Sequence, residues 1–469
     1  MVLSSLTQFH ENPVVIAWWR ARLGRALTGF TPARRRALLA AGAVVFAVTQ
    51  TLRLLKKADE LPVPADLLGK ASVILAGFGI LWLLYRAALA YPALPAGIRR
   101  RPQLTLHLAY WALLVVLWNT APTDGYWRGV LLGIAIVFPF LIWRCGYLLL
   151  AGQQGRMGAS RFSDHLLYLW PVYGGSQTPY GNGHGYLSRC EAKTDEQLAR
   201  SQLAGIKLIL LSLLWGALAD LMAGVYGTGT DLTGTLAQSL AQTLPQALGV
   251  QPITIPRLEE MVKGQNTAPL WAAWASIYCE LFWQVLRHAA RGHEIIGILR
   301  VFGFNVFRNT YKPLLAQSIV MFWNRYYYYF KELLATFFFL PTFTSLGAGL
   351  RKWPALRLFL AVFAAAFVGN MYYHLLQRTP LLVGGEVFEA LYDLRSRFFY
   401  CFLLAAGIFL SMRREQRRSR QALVPGPIQV VLNILGVWTF FGLINIWNVR
   451  SDAPFFVRVE FFLGLFGLA

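Results

Sequence analysis

Charge is what this chain has least of. Only 14% of its 469 residues are Asp, Glu, Lys or Arg, where soluble domains carry about 25%. Acidic residues are the scarcer sign, 22 Asp+Glu against 44 Lys+Arg. No long hydrophilic block separates the apolar runs, which argues against an independent soluble module. The four cysteines, Cys145, Cys190, Cys279 and Cys401, contain no Cys-x-x-Cys pair, and three of them lie in apolar segments. That pattern matches neither a disulfide framework nor a metal site. The N-terminal stretch MVLSSLTQFHENPVV lacks a basic leader and a cleavage motif, so no removable signal peptide is expected. Internal repeats are also missing, which disfavours the inverted-repeat transporter plan.

What is present is apolar surface. Hydrophobic residues make up 56% of the chain, mean hydropathy is +0.46, and windows of the roughly 20 residues needed to cross a bilayer recur along its length. The expected fold is all-α: one polytopic integral membrane domain over residues 1–469, with about eleven transmembrane helices. Some of these are broken or re-entrant around a central cavity, since interrupted helices need surrounding protein or water. Apolar segments lie near 37–55, 68–92, 104–120, 127–151, 202–226, 268–290, 294–304, 313–340, 354–377, 386–411, 428–448 and 454–469, twelve in all, within two of the expected eleven helices because the short and interrupted ones need not each cross. Residues 1–36 form an interfacial N-terminal segment, with Trp18, Trp19, Arg20, Arg22 and Arg25 suited to the headgroup layer. Polar connections are expected over 152–200 and 227–266.

The basic excess sits beside apolar segments, in Arg34-Arg35-Arg36, in Arg99-Arg100-Arg101 and in Arg413, Arg414, Arg417, Arg418 and Arg420. Such clusters are held on the cytoplasmic side and touch anionic lipid, so membrane lipid rather than nucleic acid is the expected partner. The Gly181–Gly185 run is glycine-rich, but no strand precedes it, which disfavours a phosphate cradle. His165, His184 and Cys190 do not have the spacing of a zinc site.

Polar groups at membrane depth are costly and mark functional sites, and they concentrate in residues 302–377. Phe322-Trp323-Asn324-Arg325 followed by four tyrosines places amide, guanidinium and aromatic groups together. Arg325 cannot lose its charge and needs a carboxylate, carbonyls or an anionic ligand; Glu332, two turns on, is the structural choice of partner. His374 ends an apolar helix, with Asn370 one turn before it on the same face. A side-chain amide there can fix the imidazole tautomer, as a general base requires. The bland alternative is a core histidine bonded to a neighbouring carbonyl.

Taken together these segments resemble the membrane-bound O-acyltransferase family, in particular its bacterial branch of alginate-acetylation and D-alanyl-transfer proteins. The resemblance rests on Asn305-Val306, on Pro313-Leu314-Leu315-Ala316-Gln317-Ser318, on Phe322–Tyr327 and on Tyr373-His374-Leu375, with His374 lying 374 − 327 = 47 residues after Tyr327. Two positions depart from the family pattern: Tyr327 stands where the family has its first motif histidine, and Leu375 where it has glycine.

The resemblance implies a membrane-embedded O-acyltransferase of a bacterial cytoplasmic membrane. It would bind no resident cofactor and take a thioester, acyl-CoA or acyl carrier protein, as co-substrate from the cytoplasmic side. The acceptor would be a hydroxyl on a saccharide, lipid or other small molecule, with room for a downstream transfer protein. His374 and Asn324 are the implied catalytic residues, supported by Asn370, Trp323, Tyr327 and Tyr373, with Arg325 and Lys312 toward donor phosphates. A multi-pass transporter or flippase, or a non-catalytic member of the same fold, are the alternatives.

Overall fold

The structure, a computed structural model, describes residues 8–24, 31–58, 60–120, 125–158, 160–166, 183–226, 255–264, 268–420, 425–449 and 453–468. Most of the expected 227–266 connection, and Gly181 and Asn182 of the glycine-rich run, lie outside these residues. Among the described residues regular structure is helical, and pairing between extended segments is limited to the isolated bridges Glu191–Phe304 and Tyr226–Ile255.

The principal helices are α1 (Pro32–Lys56), α2 (Leu67–Leu89), α3 (Pro102–Asn119), α4 (Tyr126–Gln153), α5 (Asp195–Val225), α6 (Leu270–Val301), α7 (Ile319–Tyr326), α8 (Tyr328–Leu334), α9 (Pro354–Phe363), α10 (Asn370–Leu375), α11 (Arg395–Arg420), α12 (Pro427–Ile444) and α13 (Phe455–Gly464). Seven helical runs among the described residues are long and apolar enough to cross a membrane: α1, α2, α4, α5, the run Pro354–Leu375, α11 to Ser419, and α12 extended to Trp447. The chain is an all-helical protein of integral-membrane type.

The sequence marks where several of these helices start. Thr31 caps α1 by accepting from the Arg34 amide, with Pro32 at the first helical position, and Asp66 caps α2 through Gly69. Oxygen caps satisfy amides that no helical carbonyl can reach.

Three boundaries differ from expectation. The segments near 268–290 and 294–304 are one helix, α6, because the polar step between them stays helical: His293 Nδ1 bonds the Ala289 carbonyl one turn back at 2.7 Å. The segment expected at 386–411 becomes α11, which starts at Arg395 and extends through the arginine cluster to Arg420. Arg, Gln and Glu are good helix formers. The last segment yields only the ten residues of α13, about 15 Å of helix, too short for a crossing.

The chain forms two compact units. The first comprises Met1–Lys207, Ile295–Phe307 and Tyr372–Tyr392. Glycines set its helix spacing: a Cβ on Gly133 would lie 2.5 Å from Val73, one on Gly152 2.4 Å from the Ala88 carbonyl, and one on Gly205 2.7 Å from the Gly297 carbonyl. Small residues of this kind let helix backbones approach closely where lipid supplies no hydrophobic drive. The N-terminal helix Pro13–Trp19 buries Ile16 and Trp19 against Ala199 and Leu203, with Trp19 Nε1 donating to Gln202 at 2.9 Å. Val14 and Trp18 remain exposed.

The second unit comprises Leu208–Glu294, Arg308–Met371 and Asp393–Ala469. Ile277, Leu258, Ile446 and Trp447 belong to its apolar core. Two π-helical turns, Ala335–Phe339 and Ala364–Gly369, pack on each other. They meet where the Phe338 ring covers Gly369; a Cβ there would lie 2.7 Å from the ring. Arg458 is almost fully buried. Its guanidinium donates to the carbonyls of Ala453 (3.2 Å), Ile446 (2.5 Å) and Val449 (3.4 Å).

Candidate functional site

In the first unit the chemistry gathers on the end of α10. The hydroxyl of Tyr372 accepts from Trp111 Nε1 at 3.1 Å and lies 2.9 Å from His107 Nδ1. The phenol oxygen has two lone pairs and accepts from both the indole and the His107 Nδ1–H, which leaves Nε2 of the ring as an acceptor. Gln103, one turn before His107 on α3, sits 2.7 Å from that Nε2. Its amide nitrogen faces the ring and donates to that Nε2. Gly146 makes room for it, because a Cβ at that position would lie 1.7 Å from the Gln103 amide oxygen. The result is a buried chain from Trp111 through Tyr372 and His107 to Gln103.

Tyr373 is buried, tilted against Trp143 with centroids 6.1 Å apart. His374 follows, half-buried and edge-on to Tyr373 at 5.7 Å. Two consecutive tyrosines are therefore fixed by their rings or hydroxyls, and the histidine projects beyond them.

Asn370 does not supply the expected clamp. It is buried, but its amide oxygen has no hydrogen-bond partner. Helical Cβ atoms tilt toward the N-terminus, which carries a short amide away from a ring one turn ahead. The same spacing succeeds at Gln103 and His107, where the amide arm is one methylene longer.

In the second unit the motif residues surround a helix break. Tyr327 leaves helical geometry (φ −129°, ψ 59°) between α7 and α8. The freed backbone groups are met by the preceding segment: Tyr328 N donates to the Asn309 carbonyl at 3.1 Å and Tyr311 N to the Arg325 carbonyl at 2.7 Å. The Thr310 hydroxyl donates to the Tyr326 carbonyl at 3.1 Å. Broken helices in apolar sequence survive only with such partners.

Asn309 also accepts from Tyr329 N at 3.2 Å and lies 3.2 Å from His288 Nε2. The Tyr327 ring packs on His288 with centroids 3.8 Å apart. Trp323 is buried, whereas Asn324 is exposed. Arg325 takes the carbonyl option, reaching Leu315 at 3.2 Å and Lys312 at 3.4 Å. The structural choice of Glu332 is not taken, since that carboxylate pairs with Lys331 at 2.7 Å. Lys312 is exposed in the left-handed region (φ 49°), its ammonium 5.6 Å from the Tyr311 ring.

The chain matches no protein-family model and no curated protein.

His107, Gln103, Trp111, Tyr372, His288 and Asn309 are absent from the sequence-derived set. Gln103 and His107 share the i, i+4 spacing that drew attention to Asn370 and His374, so that signal was available. His288 and Asn309 are 21 residues apart and carried none. A second histidine pair lies in the first unit outside the membrane-crossing helices, where His165 and His184 rings approach to 5.5 Å in a pocket that also contains Arg144. Burial pushes His165 down to about 4 and lowers His184, the latter opposed in part by Asp164.

Proposed function

We propose that this protein is a membrane-embedded O-acyltransferase related to the membrane-bound O-acyltransferase family, with His374 as general base. The observation that supports this reading best is the end of α10: a half-buried histidine behind two tyrosines whose positions are fixed by Trp143, His107 and Trp111. An imidazole on such a support can meet an acceptor in a reproducible geometry, and positioning supplies much of the rate in acyl transfer.

The step runs as follows. The acceptor hydroxyl gives its proton to the His374 ring nitrogen as its oxygen forms a bond to the thioester carbonyl carbon. The tetrahedral intermediate collapses with cleavage of the C–S bond, and the thiolate leaves with the proton from the imidazolium. Acyl-CoA or an acyl carrier protein is the donor, and a saccharide, lipid or small-molecule hydroxyl is the acceptor. Asn324, being exposed, enters as a group that meets substrate rather than one that braces the base. The fold would reach ten crossings, close to the eleven expected, if α3, α6 and the broken run through α7 and α8 also enter the membrane, and would enclose a central cavity. A bacterial inner membrane is the compartment that fits the resemblance.

The test is acyl transfer from a radiolabelled thioester in membranes carrying the protein, with His374→Ala and Asn324→Ala as separate variants. Loss of transfer in the first, at unchanged protein level, supports the reading. Normal transfer in it sinks the assignment.

A further inference from the structure

A cleft of about 450 Å³ with mixed polar and apolar walls lies in the second unit, where the capped start of α7, the last turns of α11 and part of α12 come together. Ligand sites commonly fall between roughly 300 and 1,000 Å³. Arg414 and Arg418 line it one helical turn apart on α11, and Gln429 and Asn433 line it one turn apart on α12, above a floor that includes Phe440.

The charge in this cleft is not balanced from within. Its carboxylate, Glu415, is engaged by the Ser318 hydroxyl, which also caps α7 by accepting from Met321 N. Among the described residues neither Arg414 nor Arg418 forms an ion pair. Asn433 is only 8% exposed. Its amide oxygen accepts from Gln429 at 3.0 Å, but its amide nitrogen has no partner. A buried donor left unmet costs free energy, and here it lies on the wall of a cleft that also presents two arginines.

We propose that this cleft binds the phosphate group of a phosphoester. Two guanidinium forks and a buried amide N–H offer more donors than the two oxygens of a carboxylate can use, and phosphate oxygens accept bidentate from arginine. The volume exceeds that of a bare anion, so the ligand carries further atoms against the apolar floor. A lipid headgroup and a soluble phosphoester such as coenzyme A share this chemistry. The inference stands apart from acyl transfer, and it locates phosphate at arginines other than Arg325, whose Nη1 donates to two carbonyls.

The experiment uses the full chain in phosphatidylcholine nanodiscs, titrated calorimetrically with pyrophosphate and with coenzyme A. In parallel, retention of phosphatidylglycerol is followed by native mass spectrometry. Arg414→Gln/Arg418→Gln is compared with Arg413→Gln/Arg417→Gln, which removes the same charge from the same helix end but not from the cleft. Arg414→Lys/Arg418→Lys keeps the charge without the forks, and thermal unfolding of each variant checks folding. The expected result is a loss of about tenfold or more for the cleft pair, under twofold for the control pair, and an intermediate loss for the lysine pair. Loss confined to pyrophosphate and coenzyme A identifies a soluble ligand, and loss confined to phosphatidylglycerol a lipid. Equal losses in the cleft and control pairs, or no loss in either ligand arm, overturn the proposal.

Discussion

At the scale of single residues, the central question is whether His374 reacts or merely packs. If it is the general base, His374→Ala lowers turnover by about a hundredfold to ten-thousandfold while the protein still folds. If it is a satisfied core residue, the variant loses about 1–3 kcal/mol of stability and keeps its specific activity. Activity per folded molecule, read beside thermal unfolding, separates the two. The Gln103–His107 pair makes a second prediction. Gly146→Ala drives a methyl group into the Gln103 amide and is expected to cost about 1–3 kcal/mol, the usual range for overpacking. In a Gln103→Ala background the same change costs far less, because the clash is with that one side chain. Additive losses in the double-mutant cycle would show that the clash lies elsewhere.

His165 carries a third prediction. Its pKa is lowered by burial from 6.5 to about 4, so the unfolded chain binds a proton before the folded one does. Stability from this group is complete above pH 6.5 and is lost as pH falls toward 4, by about 2 kcal/mol at pH 5. Thermal unfolding in micelles should fall from pH 7.5 to pH 5 less steeply in His165→Asn than in the parent. Parallel slopes would exclude the histidine as the source.

Elements differ in how legible they were. α1, α2, α4, α5 and α12 could be read from apolar length alone, since each holds a long window with few charges. The break at Tyr327 was visible as polar residues in an apolar run, but not its remedy, because Asn309 and Thr310 reach it only through a tertiary approach that no pattern encodes. The same limit applies to the site. His374 and its tyrosines stood out by composition, whereas the chain through His107 depends on α3 and α10 coming together. Arg458 shows the converse case: in the sequence it is an ordinary charge in an apolar helix, yet its guanidinium closes three carbonyls at the end of α12 and beyond. Arg458→Leu removes those donors and leaves the carbonyls buried, an expected loss of about 2–4 kcal/mol. An unchanged unfolding midpoint would mean that these bonds contribute nothing net.

For the molecule as a whole, charge asymmetry sets orientation. Arg413, Arg414, Arg417 and Arg418 crowd the last two turns of α11, and positive charge next to a spanning helix stays in the cytoplasm. A single cysteine at position 417 in an otherwise cysteine-free chain should resist an impermeant maleimide applied to intact cells and react once the membrane is opened. Labelling of intact cells would invert the topology.

The π turn Ala364–Gly369 also bears on which changes of chain length the protein tolerates. A turn of this type holds one residue more than the α-helical turns on either side of it. Deleting Ala365 can relax it to an α turn and leave Tyr372, Tyr373 and His374 at nearly the same angle about the helix axis. The same deletion in α9, at Leu358, has no surplus to draw on and swings the downstream residues through about 100°. The surplus residue thus acts as slack in the helix's phase, so a shortened gene copy could survive at one place in this helix and not seven codons upstream.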